Sequence, residues 1–151
     1  MQDRPHYLID LDVRLTWHKL SRMYNQKANN YGISMSVGFI LLHIDKEGTP
    51  STQLGPRMGM EPTSLSRTLK TMEEKGFIRR EEDKNDKRVV RIFLTEEGLK
   101  SRYIARDVIF KFNNKVLQRI SKEHFDIFQS VISEVQQIID DELEDNAIVS
   151  Q

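Results

Sequence analysis

Apolar residues near the start of the chain recur at the three- and four-residue spacing of a helix. Leu8, Leu11 and Leu15 fall on one stripe of residues 8–28, which predicts an amphipathic helix. Residues 35–46 are apolar on nearly every side, and a helix of that kind is typical of a protein core. The first two predicted elements are therefore a surface helix and a central, buried helix.

Two long helices are predicted at the other end of the chain. Residues 96–120 contain no proline, and Thr95 can cap their first turn, which is acidic. A last helix begins near residue 121 and carries apolar residues at three- and four-residue spacing. Its acidic end, residues 140–145, is expected to be frayed and solvated.

The middle of the chain changes from helical to alternating spacing. Pro62 suits the first turn of a short helix in which Leu65, Leu69 and Met72 share one face. Gly76 ends this helix, and two alternating segments joined by a polar turn follow it. A helix followed by a hairpin is the order of a winged helix-turn-helix. The predicted fold class is therefore mainly α with a small β-hairpin wing (α+β).

Residues 51–59 give the weakest local fit to this pattern. Pro56 would remove a backbone hydrogen bond from a helix that Ser51 caps, and Gly55 lowers helix propensity by about 1 kcal/mol relative to Ala. We expect an irregular helix here, either short and bent or starting late with Pro56 in its first turn.

Charge is sorted along the chain although the formal net charge is zero. Residues 49–95 hold ten Lys and Arg against seven Asp and Glu, whereas residues 121–151 hold one Lys against eight acids. The basic region therefore coincides with the predicted helix and hairpin.

Composition also narrows the class of protein. The absence of Cys excludes disulfides and Cys-based zinc sites, and the four His show no metal-ligand spacing, so we expect no metal or cofactor. The chain has no signal-peptide layout and no apolar run near the ~20 residues that span a bilayer, so a cytoplasmic protein is expected.

The polar face of the short helix that begins at Pro62 and the hairpin turn carry the candidate chemistry. An Arg can bond bidentately to guanine in the DNA major groove, and hydroxyls can reach phosphates or base edges. Cations on the turn can reach a phosphate backbone or a narrow minor groove. Asp86 is interpreted as a structural partner of the turn backbone or of Arg88. An ordinary solvated face and charged turn is the alternative. The predicted DNA-binding residues are Pro62, Thr63, Ser64, Ser66, Arg67, Lys70, Lys84, Lys87 and Arg88.

The long helices carry more apolar surface than the small hairpin core can cover, which favours a homodimer. Intramolecular packing alone is the alternative. Two copies would match a palindromic double-stranded DNA site with half-sites about one helical turn apart. The predicted organisation is a single domain, 1–151, with residues 1–33 and 99–151 as dimerisation helices and residues 34–98 as the DNA-binding lobe.

Four segments of this region resemble the MarR family of bacterial transcriptional regulators. They are Ser66-Arg67, the string MEEKGFIRR at 72–80, Asp86-Lys87-Arg88 and the string LTEEG at 94–98. The resemblance implies that Pro62–Lys70 is the recognition helix and that Arg88 is aimed at the minor groove, with Asp86 as its companion. Gly55-Pro56 departs from the helix-favouring residues usual there.

The resemblance also implies a repressor that releases DNA when a small aromatic molecule binds between the dimerisation helices and the lobe. For each candidate residue the alternative is a simple core or interface role. A cysteine-based peroxide sensor is excluded. The candidate effector-binding residues are Trp17, His18, Met23, Tyr24, Met35, Phe39 and Phe110.

The sequence thus favours a dimeric, sequence-specific regulator that binds double-stranded DNA. The alternative is a winged-helix protein–protein interaction module without DNA binding. An enzyme is not expected, because the chain has no nucleophile–base motif, no Gly-rich phosphate loop and no convergent acid pair.

Overall fold

The computed structural model describes residues 8–149, with side chains described as far as residue 145. These residues form a mainly helical fold with one small antiparallel sheet, which confirms the predicted fold class. The elements are α1 (Ile9–Asn29), α2 (Met35–His43), β1 (Thr49–Pro50), α3 (Ser51–Met58), α4 (Pro62–Glu74), β2 (Ile78–Glu82), β3 (Val90–Leu94), α5 (Glu96–Leu117) and α6 (Lys122–Val149).

The sheet has three strands in the order β1-β3-β2, so the prediction of a two-stranded hairpin was incomplete. Strand β3 pairs with β2 along five residues, and its Ile92 also lies opposite Thr49 of β1. Strand β1 is only two residues long and lies beside a Gly, so no alternation of apolar residues could reveal it. It attaches the segment before α3 to the wing.

The core of the lobe lies between α2, α3, α4 and the sheet. Ile40 and Leu41 of α2, Leu54 of α3, Met72 of α4 and Ile92 of β3 are fully buried. Helix α2 is therefore central, as expected, but it ends at His43 rather than at residue 46. The next residue, Ile44, turns to an extended backbone and still buries its side chain in the same cluster.

Helix α3 spans the eight residues Ser51–Met58, so of the two expected alternatives the helix is short and the late start at Pro56 is wrong. Pro50 rather than Ser51 occupies the N-cap. Pro56 lies inside this short helix. Gly55 has a packing role, because a Cβ there would lie 3.0 Å from the Met60 carbonyl oxygen. The glycine thus allows α3 to approach the start of α4 closely.

Thr95 joins the end of α4 to the start of α5. Its hydroxyl donates to the Gly76 carbonyl at 2.5 Å and accepts from the Gly98 N–H at 3.0 Å, while its own N–H donates to the Phe77 carbonyl at 3.1 Å. A Cβ on Gly98 would lie 1.9 Å from the Phe77 carbonyl oxygen. This backbone-to-backbone approach is open only to glycine.

Contacts divide the chain into two units, Met1–Ile109 and Phe110–Gln151, and α5 continues across the division. The helix predicted over 96–120 ends at Leu117. Residues 140–145 are helical rather than frayed, because α6 continues to Val149. No helix between residues 8 and 149 is long and apolar enough to cross a membrane.

Substitution of Gly98 tests the junction between α4 and α5. Gly98→Ala should lower the free energy of unfolding by at least about 2 kcal/mol, because the added methyl overlaps backbone that cannot move aside as a side chain does. Urea denaturation measures the change. The control is Gly38→Ala, whose Cβ would lie 3.4 Å from that of Ala105, an ordinary contact, and which should not destabilise. Equal stability of wild type and Gly98→Ala would contradict the close approach of the Gly98 backbone to the Phe77 carbonyl.

Candidate nucleic-acid interface

Helix α4 separates an apolar face from a polar face. Leu65, Leu69 and Met72 are buried in the core cluster. The opposite face is formed by exposed residues. The hydroxyls of Thr68 and Thr71 donate hydrogen bonds to the backbone carbonyls four residues earlier in the helix. The predicted DNA-binding residues exposed on α4 are Pro62, Thr63, Ser64, Ser66, Arg67 and Lys70.

The wing turn presents the other predicted DNA-binding residues. Lys84 and Lys87 are exposed, and the side chain of Arg88 is 92% exposed. Asp86 Oδ1 accepts from the backbone N–H of Arg88 at 3.0 Å and from its Nε at 3.3 Å. Asp86 therefore contacts both the turn backbone and the Arg88 side chain.

Asp83 holds the same turn from inside, and the sequence analysis did not single it out. Its Oδ1 accepts from the N–H groups of Asn85 at 2.8 Å and Asp86 at 3.1 Å, and its Oδ2 accepts from Arg91 Nε. The Arg91 Nη1 donates to the Gly48 carbonyl at 2.8 Å. An Asp two and three residues before the amides that it binds is a turn signal that could have been found in the sequence.

These contacts stabilise the ionised form of Asp83. The hydrogen bond from Arg91, followed by those from the Asn85 and Asp86 amides, lowers the pKa of Asp83 from 3.8 to about 2. A carboxylate that accepts several hydrogen bonds favours its charged form in this way. The turn therefore depends on a negative charge beneath its surface.

The ten cations of residues 49–95 fall into two groups. Five form ion pairs with acids: Arg57 with Asp45, Arg79 with Glu81, Arg80 with Glu73, Arg88 with Asp86 and Arg91 with Asp83. The other five have no ion-pair partner among residues 8–149: Arg67, Lys70, Lys75, Lys84 and Lys87. Four of these five belong to the predicted DNA-binding set, so positive charge on α4 and the turn is left uncompensated.

A groove of about 570 Å³ lies between α3, the start of α4 and β2. It includes Ser51 and Thr52 of α3, Ser66 of α4 and Arg80 of β2. The Nε of Arg80 lies 2.9 Å from Glu73 Oε2. Arg80 is not among the predicted DNA-binding residues, although it lies in the same groove as Ser66, which is.

The structure brings together only some of the predicted effector-binding residues. Tyr24, Met35 and Phe39 line an apolar cavity of about 30 Å³ between α1, α2 and α5. Trp17 and His18 are exposed on α1, Met23 is half-buried, and the ring of Phe110 is 56% exposed. An aromatic ring fills a cavity of on the order of 150 Å³. The cavity in this conformation therefore has room for water but not for such a ring.

Histidine and acidic side chains form no metal-binding cluster in the described part of the chain, residues 8–149. His43 Nδ1 lies 2.8 Å from the Phe39 carbonyl, and His124 Nδ1 lies 3.1 Å from Ser121 Oγ. Each of these two rings thus has a partner within its own helix region.

The low pKa of Asp83 predicts a pH dependence of stability. The pKa of Asp83 in the folded protein lies below its ordinary value of 3.8. The stabilisation that ionised Asp83 adds to the free energy of unfolding is therefore complete above pH 3.8 and is lost as the pH falls toward about 2. Urea denaturation should therefore show Asp83→Asn less stable than wild type at neutral pH, with the difference shrinking below about pH 4. Lys84→Met, in the same turn, should give a difference that does not change over this range. If the loss of stability in Asp83→Asn were the same from neutral to acid pH, the lowered pKa of Asp83 would be contradicted.

Comparison with known proteins agrees with this geometry. The MarR family model matches residues 33–90, from just before α2 to the start of β3. The HTH-type transcriptional regulator TtmR of Methylorubrum extorquens (strain PA1) is 30% identical over 82 residues. That match covers 54% of this chain and 42% of the length of TtmR.

Solved structures share the fold over most of the chain. The S. aureus MepR–DNA complex has a TM-score of 0.81 at 18% identity and covers 89% of this chain and 99% of that one. The transcriptional regulator SlyA has a TM-score of 0.80 at 20% identity, with 91% and 98% covered. An E. coli MarR mutant complexed with operator DNA has a TM-score of 0.73 at 18% identity, with 84% and 94% covered. Residues 33–90 of this chain are therefore similar to the MarR family, in agreement with the resemblance that the sequence motifs predict, and the described chain shares the fold of these solved structures.

Proposed function

We propose that this protein is a dimeric regulator of transcription that binds a palindromic double-stranded DNA site. The observation that carries the proposal is the distribution of unpaired cations. Arg67 and Lys70 on α4 and Lys84 and Lys87 on the turn have no acidic partner among the described residues. Uncompensated charge of this kind binds phosphates and releases their counterions.

Helix α4 is the element proposed to read base edges. Its exposed face offers the hydroxyls of Thr63 and Ser66 beside the guanidinium of Arg67. An α-helix fits the major groove of B-DNA, where Arg donates two hydrogen bonds to a guanine and hydroxyls bond to bases or phosphates. Residues without a positive charge can thus contribute to sequence selection, while Lys70 contributes to affinity.

The wing is proposed to contact the neighbouring minor groove. The side chain of Arg88 is 92% exposed, and this residue donates two hydrogen bonds to Asp86 Oδ1, one from its backbone N–H and one from its Nε. A narrow minor groove concentrates negative potential and attracts an inserted Arg. Arg88 therefore has the charge, exposure and support that such a contact requires.

Dimerisation is proposed because large apolar side chains remain exposed on the long helices. Phe128, Val131 and Leu143 of α6 are 57%, 48% and 63% exposed. On α1, Leu15 and Trp17 are likewise exposed. Apolar surface of this extent marks an interface between proteins. A twofold dimer would present two α4 helices to two half-sites about one helical turn apart.

Repression, with release of DNA by a small aromatic effector, completes the proposal. The cavity lined by Tyr24, Met35 and Phe39 lies between α1, α2 and α5. Since the cavity holds only about 30 Å³, an aromatic ligand could enter only if these helices move apart. Movement of α5 would reach α4 through Thr95, which is bonded to both.

DNA binding can be tested with a duplex that the wild-type protein selects from random sequences. The logarithm of the binding constant should fall linearly with the logarithm of salt concentration, with a slope of about −0.9 per phosphate contact. Arg67→Ala should cost about 1–3 kcal/mol of binding free energy and relax the preference at one base pair, because a bidentate base contact is lost. Fluorescence anisotropy with single-base variants of the duplex measures both effects.

Lys75→Ala is the matched control, since it removes another exposed, unpaired cation that lies at the end of α4 and outside the predicted set. It should leave the preference for bases unchanged. Absence of any preference over random DNA would refute the proposal and favour the protein–protein interaction module instead.

The dimer can be tested by sedimentation velocity. Wild-type protein should sediment as a dimer, and Phe128→Glu should shift it toward monomer, because a charge would be buried in an apolar interface. Gln129→Glu, which adds the same charge at a neighbouring exposed position, is the control and should remain dimeric. A monomeric wild type at micromolar concentration would refute this part of the proposal.

A further inference from the structure

A continuous series of polar contacts leads from Gly48, the residue before strand β1, to the exposed side chain of Arg88. At its start the Gly48 carbonyl accepts from Arg91 Nη1 at 2.8 Å. Arg91 Nε donates to Asp83 Oδ2, and Asp83 Oδ1 accepts from the Asp86 N–H at 3.1 Å. Asp86 Oδ1 then accepts from Arg88 at 3.0 Å and 3.3 Å.

Solvent exposure increases along this series of contacts. The Asp83 side chain is 11% exposed, whereas that of Arg88 is 92% exposed. Ordering a long exposed side chain costs conformational entropy. The total cost of ordering the residue is smaller when its backbone is already fixed. Among the described residues the only ion-pair partner of Arg88 is Asp86. Since Asp83 binds the N–H of Asp86, the direction of Arg88 depends on Asp83.

The paired strands do not depend on Asp83 in the same way. Strand β2 ends at Glu82, before Asp83, and pairs with β3 in the register Ile78↔Leu94 to Glu82↔Val90. Ile78 and Ile92 attach this pair to the core. Loss of the Asp83 carboxylate should therefore change the conformation of the turn while the sheet persists.

We propose that Asp83 and Arg91 are positioning residues, which hold the turn 83–88 in the conformation that presents Arg88 to DNA and make no DNA contact themselves. This inference rests on the proposed DNA binding. An ionised carboxylate has only acceptor sites, so one Asp can serve two backbone amides and a guanidinium together. Arg91 adds a bond to the Gly48 carbonyl, so the turn is connected to the residue immediately before strand β1.

The test is a double-mutant cycle on the duplex selected by the wild-type protein. Asp83→Ala should weaken binding about tenfold, as loss of one specific DNA contact does. Asp83→Asn should lie between Asp83→Ala and wild type, because its amide oxygen still accepts from the turn amides. In an Arg88→Ala background, Asp83→Ala should add less than about twofold, since the side chain that it positions is gone.

Arg67→Ala provides the matched background. Arg67 lies on α4, so the tenfold effect of Asp83→Ala should persist in full there. An equal effect of Asp83→Ala in all three backgrounds, or no effect in wild type, would overturn the inference. A wild-type protein that selects no sequence would instead overturn the proposed function, and this inference with it.

Two further measurements separate positioning from folding. Asp83→Ala should keep the sedimentation coefficient and the protection of β2 and β3 amides, while hydrogen exchange at the Asn85 and Asp86 amides speeds up in the absence of DNA. Unchanged exchange at these two amides would count against the inference. Should Asp83→Ala not fold, the same cycle applies to Arg91→Met, which removes the bonds to Asp83 and Gly48 and leaves the turn carboxylate in place.

Discussion

Burial of one face of α4 is the interaction on which the rest of the lobe depends. Leu65, Leu69 and Met72 enter the same cluster as α2 and α3, and full burial of each such side chain contributes about 1.5–3 kcal/mol. Because this face fixes the rotation of the helix, the residues opposite it have to face solvent. The exposed positions can then carry hydroxyls and cations without loss of core packing. Gly55 strengthens the arrangement, since it lets α3 approach the start of α4.

The turn of the wing, residues 83–88, depends on electrostatics rather than on apolar burial. Its six residues are all polar, and its conformation is held by the hydrogen bonds that Asp83 and Asp86 accept from its backbone amides. The same acids form ion pairs with two cations, Asp86 with Arg88 of the turn and Asp83 with Arg91 of β3. Lys84 and Lys87 remain unpaired. Basic residues that look alike in the sequence therefore divide into Arg91, which supports the turn from inside, and Lys84, Lys87 and the 92% exposed Arg88, which remain accessible to a partner.

The junction at Thr95 gives the lobe a rigid connection to the long helix α5. One hydroxyl bonds to the end of α4 and to the first turn of α5, and the Gly98 backbone lies directly on the Phe77 carbonyl. Close packing of this kind transmits displacement rather than absorbing it. In the proposed function, a displacement of α5 at the cavity between α1, α2 and α5 would pass to the end of α4 through this junction.

The sequence by itself determined the helices, the polar and apolar faces of α4, the paired strands of the wing and the resemblance of residues 33–90 to the MarR family, because each depends on local spacing that a single segment carries. Tertiary structure decided the rest. Strand β1 exists only because β3 offers it a partner, and Pro56 stays within α3 because the core holds that helix through Leu54. Asp83 acquires its role from Arg91, eight residues away, and from the carbonyl of Gly48, 43 residues from Arg91. Such pairings join residues that no local pattern connects, so only the folded chain could reveal them.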